Sequence, residues 1–194
     1  MKRIFIIIFF LSWGCTNPFD TRDPRTPLIT NPIQPLSNLQ SNPDSLLRQL
    51  QYAFQEPNWN YYEALLVNPG VYPINFTFIP QQDAAYRLVG WNRQDELNYF
   101  RKLITDKAKN DLILQIYNVQ GPVQIGASQD TLLLQFYYQI EINLKVRKEY
   151  YEGQGVFRIF RSPQSLWYIY FWEDLQLAPE KADSTWSILK ANYR

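Results

Sequence analysis

The 194-residue sequence contains no histidine and a single cysteine, Cys15. Without imidazole, Ser-His-Asp and Cys-His nucleophile chemistry are excluded. One thiol cannot close an intramolecular disulfide, and the imidazole and thiolate donors of a zinc site are missing. Glycine is scarce, at seven residues. Gly121-Pro122 and Gly153-Gln154-Gly155 read as turn glycines, and no GxGxxG or Walker pattern is present. No excess of one charge stands out: the formal net charge is +1. That balance lacks the concentrated basic face that nucleic acid requires. Lys145, Arg147 and Lys148 read instead as the solvent side of a strand.

What is abundant is aromatic. Phe, Trp and Tyr make up 16% of the chain. Rings fill volume with few residues, and buried Tyr and Trp need a partner for their polar tips. The composition suits a sheet-rich domain or one with a cavity, and implies no cofactor.

The N-terminus sets Met1-Lys2-Arg3 ahead of the apolar run Ile4 to Leu11, then Ser12-Trp13-Gly14-Cys15. A charged segment, a short apolar run and a small residue are the parts of a secretory signal. The run is shorter than the roughly 20 residues a bilayer span needs. Gly14-Cys15 resembles the lipobox of bacterial lipoproteins, although Ser12 stands where that family prefers Leu and Trp13 is bulky. The resemblance implies cleavage after residue 14, acylation of Cys15, and anchoring in a lipid bilayer of the cell envelope. Thr16 follows the cysteine in place of a retention aspartate, which points to the outer membrane. Lys2 and Arg3 fall in the leader, so 17 of the 19 Lys and Arg residues would face 18 Asp and Glu in the mature chain.

Residues 15–43 then read as a lipidated tether. Pro18, Pro24, Pro27, Pro32, Pro35 and Pro43 interrupt both helix and sheet. In polyproline geometry the segment would reach about 80 Å. Phe19 and its neighbours could serve as spacer or dock on a partner.

Residues 44–194 read as one domain. Asn42-Pro43-Asp44 is a helix start, followed by Leu46, Leu47, Leu50, Ala53 and Phe54 at helical spacing. A second helix carries Trp59, Tyr62 and Leu66 on one face and stops at Asn68-Pro69-Gly70. Val71–Pro80 alternates as a strand through Ile74, Phe76 and Phe78. Asn92 caps a third helix with Leu97, Phe100 and Ile104 on its stripe. Four strands follow. Leu112, Leu114 and Ile116 mark the first, and strict alternation from Leu132 to Val146 marks the second. Gly153 to Arg161 is the third and Leu166–Leu175 the fourth. Asp183 or Ser184 then caps a short helix with Trp186, Ile188 and Leu189.

This order, with the closing strand Trp167-Tyr168-Ile169 … Trp172-Glu173-Asp174, resembles the nuclear transport factor 2-like superfamily, which includes ketosteroid isomerase and SnoaL-type cyclases. It implies an α+β fold in which a cone-shaped, curved antiparallel sheet wraps around N-terminal helices. Trp59, Tyr62, Trp91, Tyr99, Tyr138 and Trp172 are the candidate pocket lining. The resemblance also frames a histidine-free isomerase or dehydratase, with Asp174 and a nearby Tyr as its players. Asp174 could equally cap backbone donors or pair with Arg87 or Arg93. The functional expectation is a membrane-anchored envelope lipoprotein with a non-enzymatic binding or protein-interaction domain. The alternatives are a carrier of a small apolar ligand and the histidine-free enzyme. Its partners would be the bilayer and an envelope protein or apolar molecule.

Overall fold

A computed structural model describes residues 40–105, 107–109 and 111–194. The signal segment, Cys15 and the tether up to residue 39 lie outside the described residues. Gln40 is already pinned: its carbonyl accepts from Trp167 N at 2.9 Å and its amide donates to the carbonyls of Ala64 and Trp167.

Two helices open the domain. α1 (Pro43–Gln55) starts at Asn42, whose side chain accepts from Ser45 N at 2.9 Å, a cap worth about 1 kcal/mol. Leu46, Leu47, Leu50, Ala53 and Phe54 form its buried stripe, as their spacing predicts. α2 (Trp59–Leu65) is capped by Asn58 and buries Tyr62 and Leu65. Leu66 leaves the helix and forms an isolated parallel bridge to Ile169. The strand expected over Val71–Pro80 shrinks to β1 (Thr77–Ile79). Phe76 and Phe78 still point inward, but Pro73 has no N–H to give a ladder and the preceding residues turn. After a 3-10 segment (Gln82–Arg87), which the pattern did not suggest, α3 (Arg93–Thr105) begins at Asn92. Asn92 Oδ1 accepts from Gln94 N and Asp95 N, while Asp95 returns a carboxylate to Asn92 N.

The sheet is then completed by β2 (Leu112–Gln124), β3 (Thr131–Asn143), β4 (Lys148–Arg161) and β5 (Trp167–Leu175), in the spatial order β1-β5-β4-β3-β2. The consecutive strands pair antiparallel; β1 joins the far edge parallel to β5. The fold class is the expected one: an α+β curled sheet with helices against its concave side. A second 3-10 segment (Pro179–Ser184) leads to α4 (Trp186–Asn192).

Three expectations fail in instructive ways. The alternating stripe does not run to Val146: β3 ends at Asn143, and Val146 sits 97% exposed in the hairpin turn. Gly153 and Gly155 are not turn glycines but stand in the middle of β4, opposite Tyr138 and Phe136. A Cβ would meet Tyr138 Oη at 2.3 Å from position 153 and Phe136 Cζ at 2.4 Å from position 155. The two glycines are the room into which large rings on β3 lean. Finally, α4 is capped by neither Asp183 nor Ser184; it starts one residue later, with Thr185 making no side-chain cap bond.

Candidate functional site

A β-bulge decides which acidic group enters the interior. Ile159 pairs with Ile169 and Arg158 with Phe171, so β5 carries one extra residue, Tyr170. Trp167 and Ile169 are buried before it and Trp172 and Asp174 after it. Unbroken alternation from Trp167 would have turned Phe171 and Glu173 inward instead. The bulge therefore delivers a carboxylate, fully buried at 0% exposure, to the base of α4.

There Asp174 does the capping that Thr185 does not. Its Oδ2 accepts from Ser187 N at 2.6 Å and from Ser187 Oγ at 2.5 Å. Its Oδ1 accepts from the Tyr138 hydroxyl at 2.6 Å, and that hydroxyl accepts from Trp186 N at 2.7 Å. Two free N–H groups of the first turn are thus satisfied from β3 and β5. Ser187 Oγ also accepts from Gln81 N. Burial raises the Asp174 carboxyl above the usual carboxylate range, while the bonds from Ser187 and Tyr138 pull it back. Asp174 pairs with neither Arg87, which donates to Asn192, nor Arg93, which meets Glu63.

A second carboxylate lies across α4. Glu96, in the first turn of α3, and Lys190, in α4, form an ion pair at 2.8 Å with both side chains at 0% exposure. Glu96 Oε2 also accepts from Trp91 Nε1 at 2.7 Å, and Oε1 accepts from the Tyr62 hydroxyl at 2.5 Å. The Lys190 ammonium lies 3.5 Å from the ring centroids of both Phe78 and Trp172, a cation held between aromatic faces. Burial pulls Lys190 down to about 8, with Glu96 acting in the opposite direction. Tyr62, Tyr99 and Tyr138 are each raised well above 10, first by burial.

Of the candidate pocket residues, Tyr62, Trp91, Tyr99, Tyr138 and Trp172 converge on this centre. Tyr62 stacks on Phe100 at 3.8 Å, Tyr99 accepts from Trp186 Nε1, and Trp172 meets Phe78, Phe157 and Trp186 edge to face. Trp59 stands apart, half-buried under the Arg101 guanidinium. Glu96, Ser187 and Lys190 escaped sequence reading. Their signal was spacing: Glu96 falls four before Phe100, and Lys190 four after Trp186. Among the described residues, no group of three or more His, Cys, Asp or Glu could hold a metal, and no helix is long and apolar enough to cross a membrane.

No protein-family model and no curated protein matches the chain. Solved structures do. A provisionally assigned aromatic ring hydroxylase from Novosphingobium aromaticivorans aligns with a TM-score of 0.52 at 12% identity, over 76% of this chain and 98% of that one. The Kfla4162 protein from Kribbella flavida aligns at 0.52 and 9% identity, over 79% and 95%. At these identities the likeness is one of fold, and these two carry it. An NTF2-like protein of unknown function in nutrient uptake from Rhodospirillum rubrum also aligns, at 0.49 and 12% identity, over 71% and 99%.

Proposed function

We propose that this chain is an envelope lipoprotein, anchored through acylated Cys15, whose folded domain is a non-enzymatic protein-interaction module. The observation that carries the reading is the full engagement of the buried carboxylates by the protein's own groups. Asp174 and Glu96, the two buried carboxylates with a Tyr hydroxyl in reach among the described residues, have both oxygens engaged by the protein's own donors and no exposure. General acid–base work needs such a group to reach a substrate. Two surface depressions among the described residues, of 260 and 320 Å³, are not lined by either carboxylate.

Binding then falls to the surface, and the convex face of the sheet suits a protein partner. Its middle carries Leu133, Gln135 and Tyr137 on β3, Gln154 on β4, and Tyr117 and Val123 on β2. Tyr117 and Tyr137 stack across the strands at 5.9 Å. Enrichment of tyrosine, with Arg158 opposite Leu133 on the same face, is the composition of an interface core.

The test is site-specific photo-crosslinking from position 137 in cells, paired with mass spectrometry of the Cys15 peptide. A discrete protein adduct, lost when Gln135 is changed to Lys, and a diacylglyceryl-modified Cys15 are expected. A domain that carries a tightly bound apolar molecule through purification and crosslinks to nothing would favour the carrier reading instead.

A further inference from the structure

We infer that the domain docks on an anionic lipid bilayer through a cationic strip running from the exposed side of α3 to the Tyr86–Val89 segment. The inference rests on the reading of Cys15 as an acylated anchor, and adds a contact that the anchor does not supply.

The strip is continuous in space. The Arg101 guanidinium lies 3.5 Å above the Trp59 ring. Its neighbour Lys102 donates to the Arg194 carbonyl, Arg194 Nη1 donates to the Arg87 carbonyl, and Arg87 Nη2 donates to Asn192 Oδ1 at 2.9 Å. Arg101, Lys102 and Arg194 also line one depression of about 260 Å³. None of the four cations pairs with a carboxylate side chain among the described residues. Asp95, the acidic residue lining that depression, has its Oδ2 taken by Asn92 N. The β3–β4 hairpin tip is built differently: its Arg147 and Lys148 are matched by Glu149 and Glu141. Cations left without internal counter-charges complement anionic headgroups, and each gains from lying within a Debye length of them.

The Tyr86–Val89 segment adds the apolar part. Tyr86 is 79% and Val89 72% exposed, while Leu88 between them is buried and fixes the segment to the domain. A ring with a polar tip, an aliphatic side chain and adjacent arginines are suited to the depth of the headgroups. Two side chains that protrude, in place of a flat patch, favour a bilayer over the surface of an acidic protein. The end of the tether lies at the other end of the strip. Gln40 donates to the Ala64 carbonyl in the last turn of α2, and Trp59, under Arg101, opens that helix. Seven helical residues span about 10 Å. An anchored chain therefore enters the domain beside the cations, which holds them near the headgroups.

The experiment places the full acylated chain in phosphatidylcholine vesicles, with and without phosphatidylglycerol, that carry doxyl-labelled lipid as a quencher. Acylation uses the thiol of Cys15, so Val89→Cys supplies the free thiol for a fluorophore, and Tyr137→Cys on the convex face is the control. Quenching at position 89 is expected in the anionic vesicles, with relief at high salt and none at position 137. Arg87→Gln and Arg194→Gln should each lower the docked-to-free ratio about five-fold, with the circular dichroism of the folded domain unchanged. A chain that floats with the vesicles while position 89 stays unquenched overturns the docking and leaves the anchor standing. So does quenching that is equal without phosphatidylglycerol, or equal at positions 89 and 137. A chain with unmodified Cys15 that stays off the vesicles overturns both readings.

Discussion

Glu96 and Asp174 are two carboxylates sealed from water to the same degree and held by opposite means. Glu96 faces a cation, Lys190, and two neutral donors, Tyr62 and Trp91. Asp174 is held by neutral donors alone, with Lys190 acting on it only through space. The difference follows from what each does for the fold. Glu96 compensates a lysine that α4 brings inside, tying α2, α3 and α4 at one point. Asp174 replaces the missing cap of α4 and ties that helix to β3 and β5. One short helix is thereby fastened twice, once through a charge and once through dipoles.

Removing the charge should do the most damage. Lys190→Met leaves Glu96 buried with no counter-charge, which is expected to cost about 3–5 kcal/mol, read as a fall in the urea midpoint. Adding Glu96→Gln should restore part of the loss, because the stranded charge goes with it. A double-mutant cycle should then show a coupling of roughly 0.5–3 kcal/mol. Equal midpoints for Lys190→Met and the native chain would mean that the pair is not closed.

Next in size are the glycines beneath the rings. Gly155→Ala places a methyl 2.4 Å from Phe136 Cζ, a clash that the ring must move to relieve. Gly153→Ala meets the Tyr138 hydroxyl and also the Leu175 carbonyl at 2.7 Å, so backbone as well as side chain must shift. Overpacking of this kind costs about 1–3 kcal/mol. The larger loss should fall at 153, because displacing Tyr138 also disturbs the Asp174 side of the comparison. A larger loss at 155 would show that ring packing outweighs the hydrogen-bonded cap.

A third test separates the two centres by pH. Lys190 falls from 10.5 to about 8 on folding, so between those values the unfolded chain holds the proton more firmly. Stability from that group should therefore rise as pH climbs from 8 towards 10.5. The buried tyrosines oppose it: Tyr62, Tyr99 and Tyr138 resist ionisation when folded, so stability should fall once the unfolded chain's tyrosines ionise above about pH 10. Urea midpoints measured from pH 7 to 11 should rise and then drop, and Lys190→Met should retain only the drop. Asp174 acts at the acid end with the other sign: its raised carboxyl makes the group most favourable below about pH 3.9 and less so as pH rises through its folded value.

The sequence read well wherever local rules and burial agree. The Asn42 and Asn92 caps, the α1 stripe and the core side of β3 from Leu134 to Ile142 all have a period or a cap residue to announce them. The candidate site was only half legible. Tyr62, Trp91, Tyr99, Tyr138 and Trp172 were read as inward residues lining a pocket, and the structure packs them together in the buried core. Glu96 and Lys190 read as polar because their cost is recovered only by each other, across 94 residues of chain. The inward turn of Asp174 depends on a bulge at Tyr170, and no residue type there marks an extra position. Gly153 and Gly155 were misread because a glycine that makes room for a ring looks, in one dimension, like one that makes a turn.

The smallest effect tests that last point from outside the core. Val146 continues the apolar parity of β3 in sequence, yet it stands 97% exposed at the hairpin tip, three residues beyond the strand's end. Were it on the buried stripe, Val146→Ser would forfeit much of a valine's burial, about 1.5 kcal/mol or more. In the turn it should change stability by no more than about 0.5 kcal/mol. The same substitution at Ile142, four residues back and fully buried, should cost several times as much. Comparable losses at the two positions would put the hairpin register, and with it the pairing of Tyr138 with Gly153, out of step by at least one residue.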